Sequence, residues 1–517
     1  MNQENITPLS TEKPSQKTTK SMSHRALSGF SWTFSGTGVR VGLEMLVLAI
    51  LARLLTPKDF GVVSAAMVVV RLSEVFAQIG IGPAIVQRQD LKTIHLRTGF
   101  TISCLSGLSL TGLISSLAPQ ISVFFHMEEL IPVIQGVSLV FLFQGISLVA
   151  ESLLQRELQF RWLAIIQSLS YAVGYGIVGI SLAFLGFGVW SLVIAYLSQM
   201  AFKSIFLLKV KPHPKRLALE RRAIAELMYF GGGFTLARIG NAIAGQGDYL
   251  VVGRWLGANA LGLYSRAYQL MTIPAMLFAK ILDTVLFPAM AQIQTQPERL
   301  RVAYRRGVAL IALVVLPSSA VAYVLSPELI IVVFGPKWLE VVMPFKIFAI
   351  AMLFRTSYKM SDSLARATGA VYKRAWRQGV YAALVLGGAW IGQFWGISGV
   401  AFGVFGAIMV NFILMAHLSL VELSVSWRDF FIAHISAIPL TLIVLSEAYI
   451  VTTVLRNFAM PAIIILIASI VIIMLTMALL LRFASKIALG EAGIWMFQTL
   501  LGYIKKRRTS STSRVNG

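Results

Sequence analysis

With 517 residues, 57% hydrophobic and only 13% charged, and a mean hydropathy of +0.76, the chain is too apolar for a soluble domain built around an ordinary core. The formal charge of +23 raises nucleic-acid binding, but basic residues in a membrane protein more often mark cytoplasmic loops. A single cysteine, Cys104, excludes an internal disulfide framework and a cysteine-built metal site.

Residues 1–27 are polar and rich in Ser, Thr, Gln and Lys, and no short apolar core with a cleavage site follows; a disordered cytoplasmic tail is expected, not a signal peptide. A spanning helix needs about 20 apolar residues. Runs of that kind, broken by Gly, Pro and basic clusters, predict spans near 29–54, 60–86, 98–118, 130–150, 162–185 and 188–208. These make a first unit, 28–208, closed by a basic cytoplasmic linker at 209–224. Six more, near 225–253, 261–291, 307–325, 341–364, 378–394 and 397–420, make a second unit, 225–420. Two further spans, near 430–454 and 458–481, occupy 421–482, and a basic tail fills 483–517. The predicted class is an all-α polytopic membrane protein of about fourteen transmembrane helices.

The distribution of Lys and Arg tests this layout, because alternate loops should differ sharply if the order of spans is right. Thirty-one of the 45 fall in segments expected to be cytoplasmic, and only Arg53, Lys58, Arg254, Lys337 and Arg456 fall in outer loops. Both termini are therefore expected in the cytoplasm, and most of the positive charge is an orientation signal.

An internal repeat supports the division into two units. Arg53-Leu-Leu-Thr-Pro-Lys-Asp-Phe-Gly61-Val-Val-Ser64-Ala-Ala66 aligns without gaps, 201 residues later, with Arg254-Trp-Leu-Gly-Ala-Asn-Ala-Leu-Gly262-Leu-Tyr-Ser265-Arg-Ala267. Leu117-Ala-Pro119 matches Leu325-Ser-Pro327, Phe143 with Ser152-Leu153 matches Phe354 with Ser363-Leu364, and Gly188-Val189 matches Gly399-Val400. Four matches in one order point to duplication. Six spans per copy is an even number, so the copies run parallel about an axis along the membrane normal.

Leu51-Ala-Arg-Leu-Leu-Thr-Pro-Lys-Asp-Phe-Gly61, Gly80-Ile-Gly-Pro-Ala-Ile-Val-Gln-Arg-Gln-Asp90, Leu263-Tyr-Ser-Arg-Ala-Tyr-Gln-Leu270 and Leu364-Ala-Arg-Ala-Thr-Gly369 resemble the polysaccharide exporters of the MOP flippase superfamily. The likeness is to the Wzx-type, colanic-acid-exporter-like branch and runs from about Ser28 to Leu420. It implies two six-helix lobes around a central cationic cavity, and movement of an undecaprenyl-diphosphate-linked oligosaccharide from the cytoplasmic to the outer leaflet of the bacterial inner membrane. That role belongs to exopolysaccharide or lipopolysaccharide biosynthesis, with a polysaccharide polymerase and a chain-length regulator as further partners. No individual substrate residue is carried over from the resemblance.

Ionisable side chains inside spans cost a few kcal/mol on insertion scales, so they face a cavity or a partner. Arg40 with Glu44, Arg71 with Glu74, Lys280 with Asp283 and Lys359 with Asp362 stand three or four residues apart, so each pair either neutralises itself or lines a cavity. Arg238, Arg266, Lys346 and Arg355 have no such neighbour. Arg40, Arg71, Arg238, Arg266, Arg355 and Lys359 are the candidates for a diphosphate-binding cavity, since guanidinium groups suit its many acceptor oxygens. Lys203 is read as reaching out to the interface. Asp248, flanked by Gly245 and Gly247, and Glu44 are the candidates for coupling to a proton or sodium gradient; a salt bridge from Asp248 to Arg254 or Arg53 is the structural alternative. The segment Leu325 to Trp338 is too short to span and is expected to be interfacial or re-entrant.

No Asp-x-Asp motif, P-loop, histidine cluster or large acceptor-holding loop is found, so neither an enzyme nor a resident cofactor is expected. The competing readings are a peptidoglycan-precursor flippase or multidrug exporter of the same superfamily, and a membrane polymerase or ligase.

Overall fold

A backbone crossing lipid must satisfy its own hydrogen bonds, and the computed structural model does so with helices alone: no strand occurs among the described residues. It describes Gly38 and residues 40–77, 80–282 and 286–483. The first half contains α1 (40–54), α2 (Pro57–Ala77), α3 (Ile81–Gln87), α4 (Thr93–Ser116), α5 (Ala118–Phe125), α6 (Leu130–Ser138) and α7 (Val140–Arg156). It continues with α8 (Phe160–Tyr171), which passes through the wider π turn Ala172–Gly179 into α9 (Ile180–Phe184), and then α10 (Val189–Val210). The second half opens with α11 (Arg221–Val251), α12 (Gly257–Ile281), α13 (Phe287–Gln292), α14 (Pro297–Val324) and α15 (Ser326–Val333). After a 3-10 turn at Pro336–Val341 come α16 (Val342–Ala367), α17 (Val371–Gly392), α18 (Gly396–Leu423), α19 (Trp427–Ile435), α20 (Ile438–Asn457) and α21 (Ala462–Phe483).

Among the described residues, eight helical stretches are long and apolar enough to cross a bilayer. The chain is a multi-pass membrane protein. The long helices α2, α11, α12 and α16 carry most of the ionisable residues singled out in the sequence.

Two of the predicted spans each contain two described helices. The run 60–86 divides into α2 and α3, with Gly80 at φ 70° starting the second piece, and the run 261–291 divides into α12 and α13. Each run holds only two or three charged residues among apolar ones, so hydropathy alone reads it as one span.

The repeat is visible in the packing. α2 and α12 cross so closely that a Cβ on Gly61 would stand 1.7 Å from the Ala258 carbonyl oxygen, and one on Gly262 would stand 1.8 Å from that of Pro57. Ser64 Oγ lies 3.2 Å from Ser265 Oγ, its counterpart 201 residues on. Copies of the same sequence thus pack on each other about a local two-fold, with small residues allowing the backbones together.

Short helices extend the exchange. Arg53 donates to Val332 O at 2.6 Å, while Arg254 contacts His126 and lies over the Phe124 ring at 5.5 Å. Trp338, completely buried, donates its indole N–H to Ala52 O at 2.9 Å and meets Phe60 edge-on. The segment from Leu325 to Trp338 is therefore structural: it caps the end of α1, in the other half.

The C-terminal helices are fastened by one buried carboxylate. Arg456, at the end of α20, holds both oxygens of Glu328 on α15, at 2.7 and 2.8 Å, and Glu328 is 4% exposed. Arg456→Ala leaves that charge unpaired. Water reaches the arginine side, so the expected loss is about 2 kcal/mol, between the values for exposed and fully buried pairs. A fall in the unfolding midpoint of the purified protein checks this; an unchanged midpoint would mean that α20 docks by apolar packing alone.

Candidate functional site

Four of the predicted residues converge on a pair of stacked tyrosines. Tyr171, at the end of α8, and Tyr175, in the π turn, stack with centroids 5.1 Å apart. Between them they lie within electrostatic reach of Arg40 and Glu44 from α1, Arg71 from α2 and Arg266 from α12. π turns recur at functional sites because the extra residue re-aims side chains.

The charges there are unequally matched. Arg40 bonds Glu44 at 2.6 Å and donates to Gln167 Oε1 at 3.0 Å, as the spacing of four on one helix predicts. Arg266 has no carboxylate partner among the described residues. Its guanidinium covers the Phe60 ring at 4.8 Å, Ser265 Oγ lies 3.4 Å from Nε, and Arg71, which is exposed, is near enough to repel it. Two guanidinium groups within electrostatic reach of each other, neither bridged to a carboxylate among the described residues, offer a place for an anion.

A second cluster adjoins the first through Tyr249, which is within reach of Asp248, Arg71 and Arg266. Asp248 is 1% exposed and accepts from the Tyr264 hydroxyl at 2.8 Å and the Tyr249 N–H at 3.0 Å. Tyr249, Tyr264, Tyr268 and Phe348 pack edge-on around it. Arg355 bonds the Tyr381 hydroxyl at 3.0 Å, lies over the Tyr358 ring at 5.5 Å and is within reach of Asp248. Asp248 makes no bridge to Arg53 or Arg254 among the described residues; both arginines serve the contacts between halves.

Other pairings read from spacing turn out differently. Asp362 pairs with Arg366, four residues on in α16, at 3.4 Å, and with Arg374 at 2.5 Å, because Gly369, at φ 74°, turns the first residues of α17 back along α16. Lys359 instead lies over Tyr358 at 4.9 Å and lines a cavity of about 110 Å³ with Asp362, Arg366 and Arg374, off the first cluster. Lys203 is drawn inward to Glu151 at 2.9 Å. The side chain of Arg238 and the whole of Asp283 lie outside the described residues.

Sequence reasoning missed one feature entirely. A cavity of about 580 Å³ lies among α2, α3, α4, α7 and α10, lined by Glu74, Gln87, Gln144, Glu151, Gln155 and Lys203. Glu74 accepts from Gln144 Nε2 at 2.8 Å and is not bridged to Arg71 among the described residues. The available signal was the spacing of Gln144, Ser147, Glu151 and Gln155, which puts four polar residues on one face of an otherwise apolar helix.

The family described as "Polysaccharide biosynthesis protein" matches residues 50–343, more than half of the chain. The chain is similar to the lipopolysaccharide biosynthesis protein WzxC of Escherichia coli (strain K12), 26% identical over 357 residues, which are 68% of this chain and 72% of that protein. It is similar also to the teichuronic acid biosynthesis protein TuaB of Bacillus subtilis (strain 168), 26% identical over 352 residues, 68% and 72% of the two chains. Its fold is that of the lipid II flippase MurJ in an inward closed conformation, with a TM-score of 0.70, 16% identity, and coverage of 86% of this chain and 98% of that one.

Proposed function

Because the chain belongs to the polysaccharide biosynthesis protein family, of Wzx-type flippases in the MOP superfamily, we propose that it carries undecaprenyl-diphosphate-linked oligosaccharide repeat units from the cytoplasmic to the outer leaflet. It is a transporter and not an enzyme. The observation that carries the proposal is the juxtaposition of Arg71 and Arg266 without a carboxylate partner among the described residues, in membrane-length helices from opposite halves. A diphosphate supplies the missing negative charge, and its departure restores the repulsion.

In this proposal fourteen helices form two six-helix lobes, 28–208 and 225–420, with two more helices at 421–482, both termini in the cytoplasm and the whole in the inner membrane. The lobes alternate between faces. Arg40, Arg71, Arg238, Arg266, Arg355 and Lys359 form the cationic path, and Asp248 and Glu44 couple movement to a proton or sodium gradient. A polymerase and a chain-length regulator receive the product. That Arg266 is bridged to no carboxylate among the described residues disfavours lipophilic cations as cargo.

Deletion of the gene in its host tests the proposal. The expected result is loss of surface polymer with completed repeat units trapped on the cytoplasmic face of the inner membrane. Single repeat units accumulating on the outer face would point instead to a missing polymerase.

A further inference from the structure

The 580 Å³ cavity in the first half falls in the range of about 300–1,000 Å³ in which proteins hold small ligands, and no role assigned so far uses it. Its charged residues are not free to bind an anion: Lys203 is matched to Glu151. Ser147, Ser152 and Ser204 give their hydroxyls to helix carbonyls. What remains are the Gln87 and Gln155 amides, which both donate and accept, and a pair of acceptors. Glu74 has the Gln144 amide as a partner and no ion pair among the described residues, while Gln144 Oε1 is buried without a hydrogen bond. The Glu74 carboxylate lines the cavity, and the unsatisfied Gln144 oxygen, closed off behind it, meets a ligand once the amide turns; together they call for a ligand rich in neutral donors.

Position narrows the ligand. Glu74 stands three residues from Arg71 on α2, a rise of about 4.5 Å on nearly the same helix face. Tyr196, buried, lies within reach of Glu74, Arg71 and Tyr175 alike, so the cavity and the arginine cluster are neighbours. A diphosphate held by Arg71 and Arg266 would place the group bonded directly to it within about one helical turn of these acceptors.

We propose that this cavity is a subsite for the sugar ring next to the diphosphate, its hydroxyls donating to Glu74 and Gln144; this rests on the substrate being a lipid-diphosphate-linked oligosaccharide. The space is far more than a desolvated ion needs, which favours a sugar over a coupling cation.

The test uses the full chain in lipid nanodiscs and measures binding of undecaprenyl diphosphate, bare or carrying glucose, galactose, N-acetylglucosamine or N-acetylgalactosamine. The wild type should bind at least one sugar-bearing lipid about tenfold more tightly than the bare one. Glu74→Gln and Gln144→Met should erase that preference and leave binding of the bare lipid within about twofold, which also shows that the variants are folded. If Gln144→Met does not fold, Gln155→Leu on the same face carries the same expectation. Equal binding of bare and sugar-bearing lipids by the wild type, or a preference that survives the substitutions, overturns the subsite. So does a sodium dependence of binding that disappears in Glu74→Gln while the sugar preference stays. Failure of the wild type to prefer undecaprenyl diphosphate over undecaprenol would instead remove the parent proposal.

Discussion

Gly61→Val stops export while the protein still inserts and folds: this is the largest effect expected of a single apolar substitution. The added Cβ would lie 1.7 Å from a carbonyl oxygen of α12, so the two helices must separate before a side chain of any size is accommodated. Overpacking of this kind costs about 1–3 kcal/mol or more, and each 1.4 kcal/mol moves a two-state equilibrium tenfold, so the closed crossing becomes a minor state. Cysteines placed at Ser64 and Ser265, with Cys104 replaced by Ala, report on the crossing. In the parent they should cross-link under mild oxidation, and the cross-link should halt export until a reductant is added. In Gly61→Val the cross-link should be lost. Wild-type export by Gly61→Val would show that transport does not need the crossing to close.

Arg266→Glu has the second largest effect. It replaces a cation that has no carboxylate partner among the described residues with an anion that repels the proposed cargo. Removing one partner from a desolvated charge pair costs about 2–5 kcal/mol, which corresponds to a loss of about 30-fold or more in undecaprenyl diphosphate binding and in export. Arg266→Lys keeps the charge but not the planar fork, and should fall between the two. A reversed variant that binds undecaprenyl diphosphate as tightly as the parent would remove Arg266 from the anion site.

The fold was legible where pattern and length coincide. The duplicated Gly61 and Gly262, aligned at a separation of 201, pack face to face, and the match of 117–119 with 325–327 reappears as two short helices, α5 and α15, each covering a helix end of the other half. The division of these runs into α2 with α3 and α12 with α13 was not legible, because the few charged residues in each run, two in 60–86 and three in 261–291, do not mark a span boundary. Within the site, one-helix pairings were only partly readable. Arg40 with Glu44 follows the spacing rule, but Asp362 prefers Arg374, which a turn brings back from twelve residues away. Which residues meet across helices, as Glu74 meets Gln144 or Arg355 approaches Asp248, has no signature along the chain, although the polar face of α7 does.

The α2–α12 crossing also has a genetic consequence. The atoms facing Gly61 and Gly262 are main-chain oxygens of Ala258 and Pro57, which every amino acid possesses, so no exchange of the facing residue makes room for a side chain at either glycine. Gly307 differs: a Cβ there meets the flexible end of Met360, at 2.6 Å, and a smaller residue at 360 makes space. Selections for second-site revertants should therefore recover Met360 substitutions from Gly307→Ala, whereas lesions at Gly61 and Gly262 should return only as true revertants or through changes that shift whole helices.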